Sequence, residues 1–299
     1  VVLVKLAMIR SNPEVPARPA VVLSGQRVVW FQEILGSDAP TSLDAMITTG
    51  ADPWLEQLRS RFLAGSYPGR IFGDMIFEAP ISFRRNPLCI GRNYPDHAQE
   101  AVRSGLAKTV NEEFPMFFSK ATTTLNHDQG DIVAFQSASR LDYEAELGVI
   151  LSRGGREIDR KHAESMILGY TLVNDVTARE VQQRHQQWFL GKSFDGFCPI
   201  GPVIVTRDEI PWPVALTLQL TVNGEERQRF HTQDMIFDIA DQIRWLSQAM
   251  TLLPGDLLAT GTGDGVGRSF TPPRYLHPGD RVEIVCSAIG RLRNEVVEE

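Results

Sequence analysis

Three acids stand at alternate positions in RLDYEAELGVIL, residues 140–151: Asp142, Glu144 and Glu146. On a strand, successive side chains take opposite faces, so these carboxylates share one side while Tyr143, Ala145 and Leu147 take the other. Charges about 7 Å apart repel by only about 0.6 kcal/mol per pair at water's dielectric, a cost that a solvated strand tolerates. The continuation argues for a drier setting, because Leu147, Val149, Ile150 and Leu151 are apolar on both faces, as in a buried strand. Carboxylates entering an interior need a counter-charge, and no Lys or Arg follows before Arg153. Carboxylate oxygens suit a hard cation and also suit water, so this stretch alone leaves a bound ion and a solvated face both open.

Four further stretches carry reactive side chains. In GYTLVNDVTARE, Asp175 ends an apolar run and precedes Thr177, which with Glu180 reads as a capping box opening a helix. Asp175 could serve a site at that junction or simply bond loop amides. Arg179 and Gln182 share one face of the following helix, suited to a carboxylate or carbonyl and equally to solvent. In WFLGKSFDGFCPIGP, Lys192 lies among Trp188, Phe189, Phe194 and Phe197. Such a lysine either snorkels to water or is held against a substrate oxyanion. ATGTGDGVG, residues 259–267, lacks the spacing of a nucleotide-phosphate cradle, which leaves its backbone donors and Thr262 for a small anion. In CIGRNYPDHAQE, Pro95 and Asp96 open a helix with Asp96 as N-cap, and His97 and Glu100 then share a face. A carboxylate beside an imidazole orients it as a base that can activate water, although H-x-x-E also arises by chance.

The chain that positions these residues has 299 of them, enough for one large or two modest domains. Its 42% hydrophobic and 22% charged content is that of a globular protein. A formal charge of −7, with no run rich in Lys or Arg, argues against a nucleic-acid or anionic-membrane partner. No apolar run reaches membrane-spanning length, and VVLVKLAMIR is too short, and broken by Lys5, for a secretory signal, so a cytoplasmic protein is expected. Cys89, Cys198 and Cys286 are far apart and read as buried thiols rather than a disulfide framework or zinc site.

Short strand-like runs (LVKLAMI, PAVVL, RVVWFQEI) and a helix around DPWLEQLRSRFLAG predict a small N-terminal α+β domain over residues 1–80. It joins, near EAPISFRRNP, a larger strand-rich domain over 81–299. There, IVAF, AELGVIL, MILGYTLVND, GPVIVT, LTLQLTVNG, GDLLAT and DRVEIVCSAIG are strand candidates, and two PGD turns each launch one. Helices are expected at DHAQEAVRSGL, TAREVQQRHQQW and DMIFDIADQIRWLSQAM, the last with Ile236, Ile239, Ile243 and Leu246 facing a core. Many strands and few helices give a mixed, β-rich α/β class, barrel-like rather than built of βαβ units.

In their order and spacing, CIGRNYPDHAQE, LDYEAELGVIL, GYTLVNDVTARE, GKSFDGFCPIGP and LLPGDLLATGTGDGVG together resemble the fumarylacetoacetate hydrolase family, from about Pro87 to the C-terminus. The resemblance implies a β-roll catalytic domain, usually a homodimer, with Mg2+ or Mn2+, or Ca2+ as a further candidate, held by Glu144, Glu146 and Asp175. It gives Lys192 and Thr262 contact with substrate or developing negative charge, makes Arg179 and Gln182 pocket residues, and casts His97 and Glu100 as a lid dyad activating water. Two departures stand out. Where relatives often carry Pro after TGT, this chain has Gly263 followed by Asp264, and Asp142 is not counted as a ligand. The expected activity is hydrolysis of a C–C bond in a small 2,4-dioxo acid, an acylpyruvate such as fumarylpyruvate or maleylpyruvate, giving pyruvate and a second acid. Decarboxylation, or isomerisation or hydration of 2-oxo and 2-hydroxydienoate acids, is the alternative, since an enolate is common to all. Catabolism of aromatic compounds is the setting the resemblance implies. A metal-bearing binding protein without catalysis is a third reading, opposed by the intact His97, Glu100, Lys192 and acid set.

Overall fold

The apolar run AELGVIL forms the strand Ala145–Leu151, buried along its whole length. It lies between Ile167–Asn174 on one side and Leu257–Ala259 on the other, with Glu146 opposite Val173 and Val149 opposite Leu258. Cover on both faces explains why its second half reads as continuous apolar sequence rather than an alternation. The computed structural model describes residues 4–23, 27–71, 75–103 and 113–299, so the part of DHAQEAVRSGL beyond Arg103 lies outside the described residues.

Along the main path of the largest sheet the order is Val28–Trp30, Arg18–Val22, Lys5–Arg10, Cys198–Thr206, Ile167–Asn174, Ala145–Leu151, Leu257–Ala259, Leu88–Gly91 and Met116–Ser119. Only the pairing of Leu257–Ala259 with Leu88–Gly91 is parallel on this path. A second sheet runs Glu225–His231, Thr217–Val222, Arg281–Cys286, Gly290–Glu298 and Ile132–Ala134. The fold is mixed and β-rich, as the sequence predicts, and among the described residues its sheets are open rather than closed into a barrel.

Alternate residues of the central strands feed two cores. Leu147, Val149, Tyr170 and Leu172 pack toward Leu218, Leu220, Ile284 and Leu292 of the second sheet. Ile150, Leu168, Val173 and Ile200 pack in a core with Phe31, Leu43, Met46, Leu55 and Leu58, from the helices Phe31–Leu35, Leu43–Thr48 and Ala51–Ala64. Each such side chain contributes about 1.5–3 kcal/mol when fully buried, so this double layer makes a stiff platform for the strand ends.

Three local expectations are corrected. Thr177 and Glu180 form no capping box: Thr177–Ala178 pairs as a short strand with Leu141–Asp142, and the helix is Arg179–His185. Glu180 instead accepts from Ser139 Oγ and Arg140 N. Asp96 is not an N-cap, because the helix Pro95–Arg103 begins one residue earlier and places it in the first turn. The late helix is only Ile239–Ala249: Asp238 caps it by accepting from Asp241 N at 2.8 Å, which leaves Ile236 ahead of the helix.

Candidate active site

Two neighbouring strand ends bring the acids together. Glu144 precedes the strand Ala145–Leu151 and Asp175 follows Ile167–Asn174, and Asp175 N donates to Glu144 O at 2.9 Å. Glu144 N donates to Asn174 Oδ1 at 3.1 Å, which fixes the junction from the other side. Glu144, Glu146 and Asp175 are all buried, and each offers an oxygen within 4.8 Å of the others.

The counter-charge absent from the local sequence arrives from elsewhere in the chain. Lys192 Nζ lies 2.6 Å from both Glu144 Oε2 and Asp175 Oδ2. Arg179 spans Glu144 Oε1 and Asp142 Oδ2, at 2.7 Å each. Lys120 Nζ lies 2.6 Å from Asp175 Oδ1 and donates to Val176 O at 3.1 Å. Glu146 accepts from Gly261 N at 2.8 Å and makes no ion pair among the described residues.

This uneven pairing splits the acidities. Burial opposes the Glu144 charge, but Lys192 and Arg179 outweigh it and hold its carboxyl well below the usual range. Burial pushes the Glu146 carboxyl well up, and the charges of Asp175 and Glu144 add to the rise. Burial also opposes the ammonium of Lys192, yet Asp175 and Glu144 raise its pKa above the ordinary lysine value. A buried all-oxygen donor set that still lacks positive charge at Glu146 fits a hard divalent ion such as Mg2+ or Mn2+.

The glycine-rich loop orders this site through its amides. Gly261 N serves Glu146, Gly265 N donates to Glu100 Oε1 at 3.0 Å, and Gly267 N donates to Asp142 Oδ1 at 2.7 Å. Gly265 has φ +87°, and a Cβ there would run into the backbone of Arg227, so only glycine suits that turn. Thr262 Oγ1 accepts from Gln228 Nε2 at 2.8 Å. The anion-ready donors expected in this loop are therefore engaged by the protein's own carboxylates.

A cavity of about 590 Å3 opens over the acids. Its lining includes His97, Glu144, Glu146, Arg179, Gln182, Lys192 and Thr262 from the sequence-predicted set, with Arg92, Met116, Phe118, Trp188 and Arg268 beside them. Asp175 lies buried beneath, and Glu100 stands behind His97, with Oε2 at 3.3 Å from Nδ1. Burial raises the Glu100 carboxyl, but hydrogen bonds from His97 and the Gly265 amide overcome that and leave it below the usual value. Arg179 Nη1 donates to Gln182 Oε1 at 3.3 Å, so the face they share looks into the cavity rather than to solvent. Gly191 sits so close to the Gln182 backbone that any side chain there would force the helix Phe189–Lys192 away from Arg179–His185.

Several expectations shift in detail. Lys192 is 1% exposed rather than snorkelling, and the ring under its ammonium is Phe118, at 5.1 Å, not one of its sequence neighbours. Phe189 is exposed, while Phe194 and Phe197 pack against Phe135 with tilted rings, at 5.3 and 5.9 Å between centres. Sequence reasoning missed Lys120, Arg92 and Arg268. Lys120 lies in FFSKATTTL, which carries no period or motif that marks it, whereas GRNY and GVGR place the two arginines inside stretches already singled out.

Comparison with known proteins gives this geometry a family. Over 226 residues the chain is 45% identical to the oxaloacetate tautomerase YisK of Bacillus subtilis, covering 75% of this chain and 73% of that one. The structure matches a fumarylacetoacetate hydrolase from Exiguobacterium antarcticum with a TM-score of 0.81 at 32% identity, over 99% of this chain and 100% of the other. It also matches a maleylpyruvate hydrolase from Sphingobium sp. SYK-6, solved with manganese(II) and pyruvate, with a TM-score of 0.77 at 27% identity over 98% and 99% of the chains. Residues 87–297 match the fumarylacetoacetate (FAA) hydrolase C-terminal family, and the chain therefore belongs to the fumarylacetoacetate hydrolase family of enzymes.

Proposed function

We propose that this chain catalyses keto–enol proton transfer in a small 2-oxo acid of the oxaloacetate type. The observation that carries the reading is the His97–Glu100 pair, with His97 facing the same cavity as the Glu144, Glu146 and Asp175 carboxylates. The 45% identity to an oxaloacetate tautomerase supports the same chemistry.

Glu144, Glu146 and Asp175 would hold a divalent ion, which when bound supplies electrophilic polarisation of the 2-oxo acid's carbonyl. Nδ1 of His97 is engaged by Glu100, which leaves Nε2 to take a proton from C3 of the substrate. As the C3–H bond breaks, the electron pair forms the C2–C3 double bond of the enolate. Return of a proton to the enolate oxygen completes the enol, and the reverse order gives the ketone. Lys192 and Arg179 set a positive potential around that oxygen while keeping Glu144 ionised. Gln182 and Thr262 line the walls and orient the substrate.

A second reading, hydrolysis of an acylpyruvate, uses the same dyad on a water molecule. It is supported by the likeness to a maleylpyruvate hydrolase. Proton NMR in D2O, with Mg2+ or Mn2+ and a panel of oxaloacetate, acetylpyruvate, fumarylpyruvate and maleylpyruvate, separates the two. Deuterium entering C3 without cleavage supports tautomerisation. Stoichiometric pyruvate and a second acid would move the assignment to hydrolysis, and neither outcome on any substrate would reject both.

A further inference from the structure

The cavity is electrically divided. Glu144 and Glu146 form its acidic floor, while Arg92, Arg179 and Arg268 all line it. Arg179 is already committed to Asp142 and Glu144. Arg268 makes no ion pair among the described residues, and its hydrogen bond to Asp142 uses the backbone N–H, at 3.1 Å, so its guanidinium is left for the cavity. Burial, with Arg179 nearby, lowers its pKa to about 10, the mark of a charge whose surroundings undercompensate it. Arg92 stands with its guanidinium 5.6 Å from the centre of the Trp188 ring. Its backbone takes the left-handed conformation, φ 56°, uncommon for a side chain of this size.

We propose that Arg268, with Arg92 on the Trp188 ring beside it, receives the far carboxylate of a 2-oxo diacid and sets a preference for diacids over acids with a neutral far end. This rests on the 2-oxo acid reading above, in which the substrate's first carboxylate and carbonyl occupy the acidic end. A guanidinium fork matches a carboxylate with two parallel hydrogen bonds, which the Arg268 side chain can offer, and the Trp188 ring positions the Arg92 guanidinium beside it. Enolisation moves charge only at C2, C3 and their oxygen, so Arg268 acts on selection and binding rather than on the proton transfer.

The test uses the full chain loaded with Mg2+, as wild type, Arg268→Gln, Arg268→Lys and Arg92→Gln. The backbone donation to Asp142 survives in each. The ratio of kcat/KM for oxaloacetate to that for acetylpyruvate is expected to fall about 10–100-fold in Arg268→Gln, mainly through KM, with partial recovery in Arg268→Lys. Arg92→Gln is expected to move the ratio in the same direction. An unchanged ratio in Arg268→Gln would overturn the assignment while leaving the reaction intact.

Melting with oxaloacetate and with oxalate separates this inference from the reaction itself. Oxalate fills only the end near the acids. If the wild type turns over neither substrate, the reaction assignment fails, yet a loss of the oxaloacetate shift in Arg268→Gln with the oxalate shift preserved still establishes the carboxylate site. Loss of both shifts, or of neither, overturns it.

Discussion

Asp142 Oδ2 lies 2.7 Å from Arg179 Nε, with both side chains fully buried. The same carboxylate accepts the N–H groups of Gly267 and Arg268, at 2.7 and 3.1 Å. One acid thus ties the helix Arg179–His185 to the glycine-rich loop and orients two of the arginines around the cavity.

Asp142→Ala should therefore be costly, because it strips a buried guanidinium of one partner and takes the acceptor from three amides, those of Tyr143, Gly267 and Arg268. The expected loss is about 3–5 kcal/mol in chemical denaturation, the scale for breaking a buried ion pair. KM should rise more than kcat falls, since the wall that meets the substrate is disturbed more than His97, which is carried by the separate helix Pro95–Arg103. A loss near zero would show that Asp142 holds neither element.

Lys120→Met removes one of the two ammonium groups on Asp175. The variant is expected to lose about 3–5 kcal/mol without added metal, because a fully buried carboxylate is left undercompensated. Saturating Mg2+ should recover part of that loss by supplying charge at the same acid cluster. Melting curves with EDTA and with Mg2+ measure both effects, and an equal deficit under the two conditions would count against an ion at Asp175.

Glu146 gives a pH-dependent expectation. Its folded pKa lies well above the ordinary glutamate value of 4.5, so between those two values the folded chain holds a proton that the unfolded chain has released. Stability therefore falls as pH rises through the folded pKa, and the penalty is absent below about 4.5. Without metal, Glu146→Gln should melt above wild type at mildly alkaline pH and lose that advantage as the pH approaches 4.5. Free Mg2+ at about 100 times Kd should stabilise wild type by about 2.7 kcal/mol and the variant far less. Equal gains would remove Glu146 from the ligand set.

The shared face and buried strand context of Glu144 and Glu146 were legible because residue type and alternation act locally. They left an ion and a solvated face both open, and the set Glu144, Glu146 and Asp175 came from the family resemblance. Glu144 and Glu146 flank the start of one buried strand, and Asp175 ends its neighbour. Counter-charge was not legible, because it is a tertiary property. Lys120 meets an acid 55 positions away, and Arg179 meets Asp142 across 37. Read locally, Asp142 was a third like charge on one strand face. Folding separates it, because Leu141–Asp142 pairs with Thr177–Ala178, apart from the strand that carries Glu146. The glycine loop shows the same limit: its composition announces available amides, but only the fold shows that Glu100, Asp142 and Glu146 receive them.

Proton transfer at His97 is tested most directly by the rate at which enol-oxaloacetate becomes the keto form, followed through the ultraviolet absorbance of the enol. With Mg2+ or Mn2+ the wild type is expected to accelerate the conversion over buffer, and chelation by EDTA to abolish the effect. His97→Ala should lower kcat by about 100- to 10,000-fold, the range for losing a general acid–base group, and Glu100→Gln by less. Conversion at the wild-type rate in His97→Ala, or no acceleration with either metal, would contradict the assignment.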